Sequence, residues 1–336
     1  MALPPTATIT PPTPKRRRFR WPRIPKWVDS LFAVGGVAML VYVVSRYPLP
    51  AIVAACRRLG PLVSLAFVLP LGWQAIGAVA VWVLLAGRVE LKKILWARLA
   101  ADAYNSLFFS VGGEPFRVRF LSRFVPADEV VAALLRDRMF DMISGYIVSA
   151  TFLFVGLRRL AGVPALETAL YGYAAVTLAL GIAGTLLVTT RLPSRVGALI
   201  LRAVGGSATA PLTRLPARTL MRVVPLYATA RALGVLEKGV LIWLLTGRFD
   251  VVLAGLFDGV LNAAGAMSFF VPGALGVFEG TSVYLFTLLG LGGPQGVVFG
   301  LVRRARMLLI IVAGVALHWL GRSAMARAQK EPAPPA

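Results

Sequence analysis

The chain has 336 residues, 58% hydrophobic and only 15% charged, with 36 Lys and Arg against 14 Asp and Glu and a formal net charge of +22. A soluble domain carries about 25% charged residues; with a mean hydropathy of +0.76, a water-soluble enzyme is excluded and an all-α polytopic membrane protein is predicted. One cysteine, Cys56, and one histidine, His318, exclude an intrachain disulfide and Cys/His metal sites, and any Ser-His-Asp triad would have to use His318.

Residues 1–27 read as a tail. A Pro/Thr/Ala stretch leads into Lys15, Arg16, Arg17, Arg18, Arg20, Arg23 and Lys26, with Trp21 and Trp27 among them. Basic residues and interfacial aromatics beside a span mark a cytoplasmic, lipid-facing anchor rather than a nucleic-acid arm. A membrane domain is predicted over 28–320, followed by a short basic tail, 321–336. The first span covers about 28–45, and the second about 61–85 with a kink at Pro70 and Gly72. A shorter apolar piece, 94–111, carries Arg98, Asp102 and Asn105, which suit a lipid-facing helix poorly. A basic loop at 117–138 follows, then spans at 139–155 and 166–190.

Residues 191–222 hold Arg191, Arg195, Arg202, Arg214, Arg218 and Arg222 and no acid, the mark of a cytoplasmic loop. Placing it on the side of the N-terminus requires an even number of crossings. Making 94–111 re-entrant, turning at Gly112-Gly113, satisfies this. Next come a span at 224–245 holding Glu237 and Lys238, a piece at 251–271 with Asp258 and Asn262, a short piece at 281–291, and a last span at 295–320. Arg303, Arg304 and Arg306 interrupt that last span and offer the alternative of a loop between two short crossings. The total is about six to nine transmembrane or re-entrant helices. Two re-entrant pairs entering from opposite faces would form an inverted repeat.

The two turns have a common chemistry. Gly112, Gly113 and Pro115 surround Glu114; Pro272, Gly273 and Gly276 precede Glu279. Glycine and proline break helices, and a broken helix at membrane depth must face protein or a wet cavity. Each glutamate starts a helix, where the helix dipole favours a carboxylate as a structural cap. The functional reading makes Glu114 and Glu279 line an internal polar cavity. Arg117 lies one helical turn from Glu114, Arg119 pairs with Arg123 on a second face, and Arg303, Arg304 and Arg306 are the natural partners of Glu279 and Asp258. Asn105 and Asn262 add amides. Asp137 and Asp141 read as an interfacial charge cluster with Arg136 and Arg138 rather than a metal pair. Arginine binds phosphate bidentately, so the arrangement points to an anionic headgroup.

At these residues the chain resembles a known family. The run Asn105–Arg123 is similar to the first Gly-Gly-Glu signature of the lysylphosphatidylglycerol synthase transmembrane-region family, also called flippase-like. The run Ser268–Gly280 is similar to its second Pro-Gly-Gly-Leu-Gly…Glu signature, with Ala274 in place of the usual second glycine. The proline usual ahead of the first Gly-Gly is missing. The second run looks closest to stand-alone members associated with hopanoid biosynthesis. The resemblance implies lipid translocation or transport, with a phospholipid or hopanoid as cargo and lipid-synthesis enzymes as partners. The short stretch after the last span leaves no room for the soluble synthase domain of the fused members, so aminoacyl transfer is not expected. The expectation is therefore a bacterial inner-membrane lipid translocase with a cytoplasmic N-terminus, no cofactor, no metal and no nucleic-acid partner. The alternatives are a membrane-embedded glycosyl- or phosphotransferase using Asp137/Asp141 or Asp258, and a non-catalytic partner of lipid-synthesis enzymes.

Overall fold

The computed structural model describes residues 48–107, 113–156, 164–189, 215–267 and 276–328, together with Ser45 and Ala274. The predicted span at 28–45 and most of the arginine segment 191–222 lie outside the described residues, as do Gly112, Pro272 and Gly273. Among the described residues the chain is helical with no strand. Short α1 (Leu49–Arg58) and a 3-10 turn (Pro61–Ser64) lead into α2 (Leu65–Leu84), followed by α3 (Leu91–Leu107), α4 (Glu114–Leu121), α5 (Ala127–Gly156) and α6 (Pro164–Thr189). The second half comprises α7 (Ala217–Thr246), α8 (Val251–Met267), α9 (Val277–Leu288) and α10 (Gly293–Ala328).

Among the described residues, three helical segments are long and apolar enough to cross a membrane: Pro61–Leu84, α5, and Thr168–Leu186 within α6. A fourth crossing is available if α7 and α8, bent by 113°, act as one broken span. Local chemistry makes that bend. Gly247 takes a left-handed φ of 74°, which glycine adopts without a Cβ penalty, and its N–H bonds to the Trp243 carbonyl. Asp250 then accepts the Leu253 N–H at 3.0 Å and starts α8.

Two boundaries differ from the sequence reading. The stretch read as a basic loop at 117–138 is α4 followed by the first turns of α5. Asp128 and Glu129 occupy the first turn of α5, where the helix dipole favours them, and Val130, Ala133 and Leu134 are buried against α2 and α3. The arginines at 303–306 do not form a loop; α10 runs through them without a break.

The pieces expected to be re-entrant, α3 and α8, are each 17 residues long and form the interior of the bundle. On α3, Ile94, Ala97, Ala100, Ala101 and Ala103 are buried; on α8, Ala254, Leu256, Phe257 and Leu261 are buried. Around them α2 packs on α7, α5 on α6 and α8, and α10 on both α9 and α3. Small residues set the approach of α10. A Cβ on Gly296 would meet the Val283 Cα at 2.7 Å, and one on Gly300 would meet the Glu279 Cα at 3.1 Å. Gly314 similarly faces Ala103 and the Leu99 carbonyl of α3. In lipid, where burial of apolar surface gives little drive, such backbone approach carries helix association. The Phe257, Phe286 and Phe299 rings, 5.1 to 5.7 Å apart, fill the junction of α8, α9 and α10.

Candidate functional site

The first break is fixed by Asn105 and Gly113. The Gly113 N–H donates to Asn105 Oδ1 at 2.7 Å, and a Cβ on Gly113 would lie 2.1 Å from the Ala101 carbonyl oxygen. Only glycine fits so close to the end of α3. Glu114 therefore begins α4 directly beside α3 and accepts from Arg117 at 3.2 Å and from Arg138 of α5. Arg117 reaches on to Asp137 at 2.9 Å. Asp137, 2% exposed, also accepts from Arg98 of α3 at 3.1 Å and from the Tyr227 hydroxyl of α7. Arg98 donates through Nε to Gln74 Oε1 of α2 at 2.7 Å, and the Gln74 amide donates to Asp102. Five helices thus meet in one polar network.

A second network surrounds the second break. Gly276, with φ 77°, precedes α9. Ala274, where the related motif carries glycine, holds φ 47°, a backbone region that strains an L-residue. Glu279 accepts from Arg304 at 2.7 Å. Arg306 of α10 donates to Glu237 of α7; Lys238 lies 2.9 Å from Asp258, and Asn262 donates to both Asp258 and Ser149. The Arg303 guanidinium stacks over the Phe278 ring at 3.7 Å.

Between the networks lie two adjoining cavities of about 280 Å³ and 460 Å³. Trp73, Gln74, Asp102, Arg138, Arg303 and Arg306 border both. The smaller cavity reaches Arg98, Asp141, Arg231, Lys238, Asp258 and Asn262; the larger reaches Asn105, Glu279 and Arg304, with Phe278, Met307 and Ile310 as its apolar side. Cations outnumber carboxylates on these walls. Arg303 Nη1 and Glu279 Oε2 are among the buried polar atoms that have no hydrogen-bond partner among the described residues. Both residues line the larger cavity.

The residues singled out from the sequence are distributed unevenly. Asn105, Asp258, Asn262, Glu279, Arg303 and Arg304 line a cavity. Glu114 and Arg117 line neither of these two cavities; Glu114 stands one ion pair behind the wall, through Arg138, and Arg117 two, through Asp137 to Arg98. Arg119 is exposed and lies at neither cavity. Asp137 and Asp141 do not form one interfacial cluster. Asp137 is buried among Arg98, Arg117 and Tyr227, while Asp141 pairs with Arg231 at 2.8 Å. Gln74, Tyr227 and Arg231 were not signalled by any motif. Arg98 and Asp102 were noted only as polar residues on a poor lipid-facing helix, although their i,i+4 spacing placed them on one face.

A lysylphosphatidylglycerol synthase TM region profile matches residues 27–314 and so takes in both breaks and both cavities. The chain belongs to that family. Membership points to a membrane lipid-related function for the chain. Comparisons with curated proteins and with solved structures give no match.

Proposed function

We propose that this member of the lysylphosphatidylglycerol synthase TM region family moves a lipid across the bilayer, carrying its headgroup through the polar cavities while the tails stay in the membrane. One observation carries the reading: Arg303 and Glu279, each with a buried side-chain atom that has no partner among the described residues, line a cavity inside an apolar helical bundle. Unpaired buried polar groups are costly unless something binds them, and a headgroup can do so. The edge of that cavity supports the lipid reading. Met307 and Ile310 line it, while Leu308, Leu309 and Val312 on the same helix are more than half exposed, as a lipid-facing surface requires.

An anionic phospholipid suits the walls better than a hopanoid. A phosphate supplies the acceptor that Arg303 lacks and satisfies the excess of cations, whereas a hopanoid without phosphate leaves them uncompensated. Asp137 and Asp141 have separate cation partners, which disfavours their use as a paired metal site in a transferase. The basic N-terminal run and the arginines of 191–222 support an inner-membrane protein with both segments in the cytoplasm.

A leaflet-resolved assay on the full chain in vesicles of phosphatidylethanolamine and phosphatidylglycerol tests the reading. Fluorescent phosphatidylglycerol is expected to equilibrate between leaflets with the wild type. With Glu279→Gln the rate is expected to fall at least about tenfold, a barrier change of about 1.4 kcal/mol. Equal rates for the two proteins, both eluting as folded, would remove Glu279 from the mechanism.

A further inference from the structure

Among the described residues, every carboxylate around the cavities except one has a cation in contact. Glu114 and Asp137 have Arg117, Asp141 has Arg231, Glu237 has Arg306, Asp258 has Lys238 and Glu279 has Arg304. The exception is Asp102. It borders both cavities, and its contact partner is the neutral amide of Gln74. Protonating any of the others breaks an ion pair and leaves a cation buried without its counter-charge. Protonating Asp102 breaks none.

Building on the lipid-translocation reading, we propose that Asp102 is the proton-carrying group of this cavity and couples movement of an anionic headgroup to a proton gradient. The surroundings supply the coupling. Around Asp102 the charges are Arg98 on its own helix, Arg138 from α5, and Arg117 with Glu114 from α4. Arg303 and Arg306 of α10 share both cavities with it, and the α2 residues there, Trp73, Gln74 and Gly77, carry no charge. With the cavity empty, burial opposes a charge on Asp102 and these cations offset that cost. A bound phosphate neutralises Arg138, Arg303 or Arg306, and the carboxylate then takes a proton from cavity water to become the acid. Headgroup anion and proton cross together without net charge, and the proton returns to water when the headgroup leaves.

A conformational link is also present. Gln74 donates to Asp102 and accepts from Arg98, which holds Asp137 of α5, so protonation at Asp102 weakens one of the two contacts that tie α3 to Gln74 of α2.

The test imposes a one-unit pH gradient, in either orientation, on vesicles of phosphatidylethanolamine and phosphatidylglycerol holding the full chain and fluorescent phosphatidylglycerol. The wild type is expected to accumulate tracer on the alkaline side, up to about tenfold for one proton per lipid. Asp102→Asn is expected to equilibrate tracer with no bias, and Asp102→Glu to restore the bias. Wild-type movement with no response to the gradient, or a bias that survives in Asp102→Asn, overturns the coupling while leaving translocation standing. No tracer movement by the wild type overturns translocation itself. A second measurement needs no transport. Adding dihexanoyl phosphatidylglycerol to the detergent-solubilised chain is expected to raise a protonated-carboxyl infrared band that Asp102→Asn lacks. Absence of the band from the wild type, or its persistence in the variant, contradicts the assignment.

Discussion

Asp137 and Asp141 sit one turn apart on α5 and look alike as a sequence pair, yet their surroundings separate them. Asp137 is 2% exposed and holds two arginines and a tyrosine, whereas the Asp141 side chain is 36% exposed and holds one arginine. Removing one partner from a buried charge network leaves the others uncompensated and costs about 3–5 kcal/mol. Breaking a pair that water reaches costs about 1 kcal/mol or less. Asp137→Asn is therefore expected to lower the detergent unfolding midpoint sharply and Asp141→Asn to leave it nearly unchanged; equal effects would contradict the burial argument. The spacing placed both aspartates on one helical face but could not tell depth. Depth depends on Arg98 and Tyr227 arriving from helices 39 and 90 residues away in sequence. The glutamates were easier to read because each adjoins its own backbone break. Even so, Glu114 lines neither of the two cavities and contacts their wall through Arg138.

Among the helices, the legible ones were those whose apolar runs match a bilayer: α2, α5 and α6. The breaks at Gly113 and Gly276 were legible too, because glycine and proline punctuate a chain locally. The 113° turn between α7 and α8 follows the same local logic at Gly247 and Asp250. The fate of Arg303, Arg304 and Arg306 was not legible, since a charge cluster inside an apolar run reads equally as a loop or as a buried polar face. What decides for the helix is the carboxylate of Glu279 and Glu237 waiting on α9 and α7. Gly300 makes that meeting possible by letting α10 lie against the Glu279 backbone. Gly300→Leu is expected to push the two helices apart, destabilise the chain by about 1–3 kcal/mol as overpacking does, and slow lipid movement. The readouts are the unfolding midpoint and the leaflet assay; unchanged values in both would remove the close approach from the account.

At the scale of the whole molecule, the exterior is that of a helical membrane bundle and the interior holds cavities lined by charged side chains. That inversion explains a strongly basic composition only in part, since many of the arginines face inward to carboxylates rather than outward to lipid phosphates. Two short central helices, each ended by a break, bring their polar residues to adjoining cavities from opposite ends of the sequence. Under the proposed translocation, these cavities hold the headgroup at depth while α10 offers the tails an apolar flank. A phospholipid carrying a photoreactive group on its headgroup tests this most directly: after irradiation in vesicles, the attachment sites are mapped by mass spectrometry. The account expects attachment at the cavity residues Phe278, Met307 and Ile310, competed by unlabelled phosphatidylglycerol. Attachment confined to the outward-facing Leu308, Leu309 and Val312 would mean that the headgroup never enters and would contradict it.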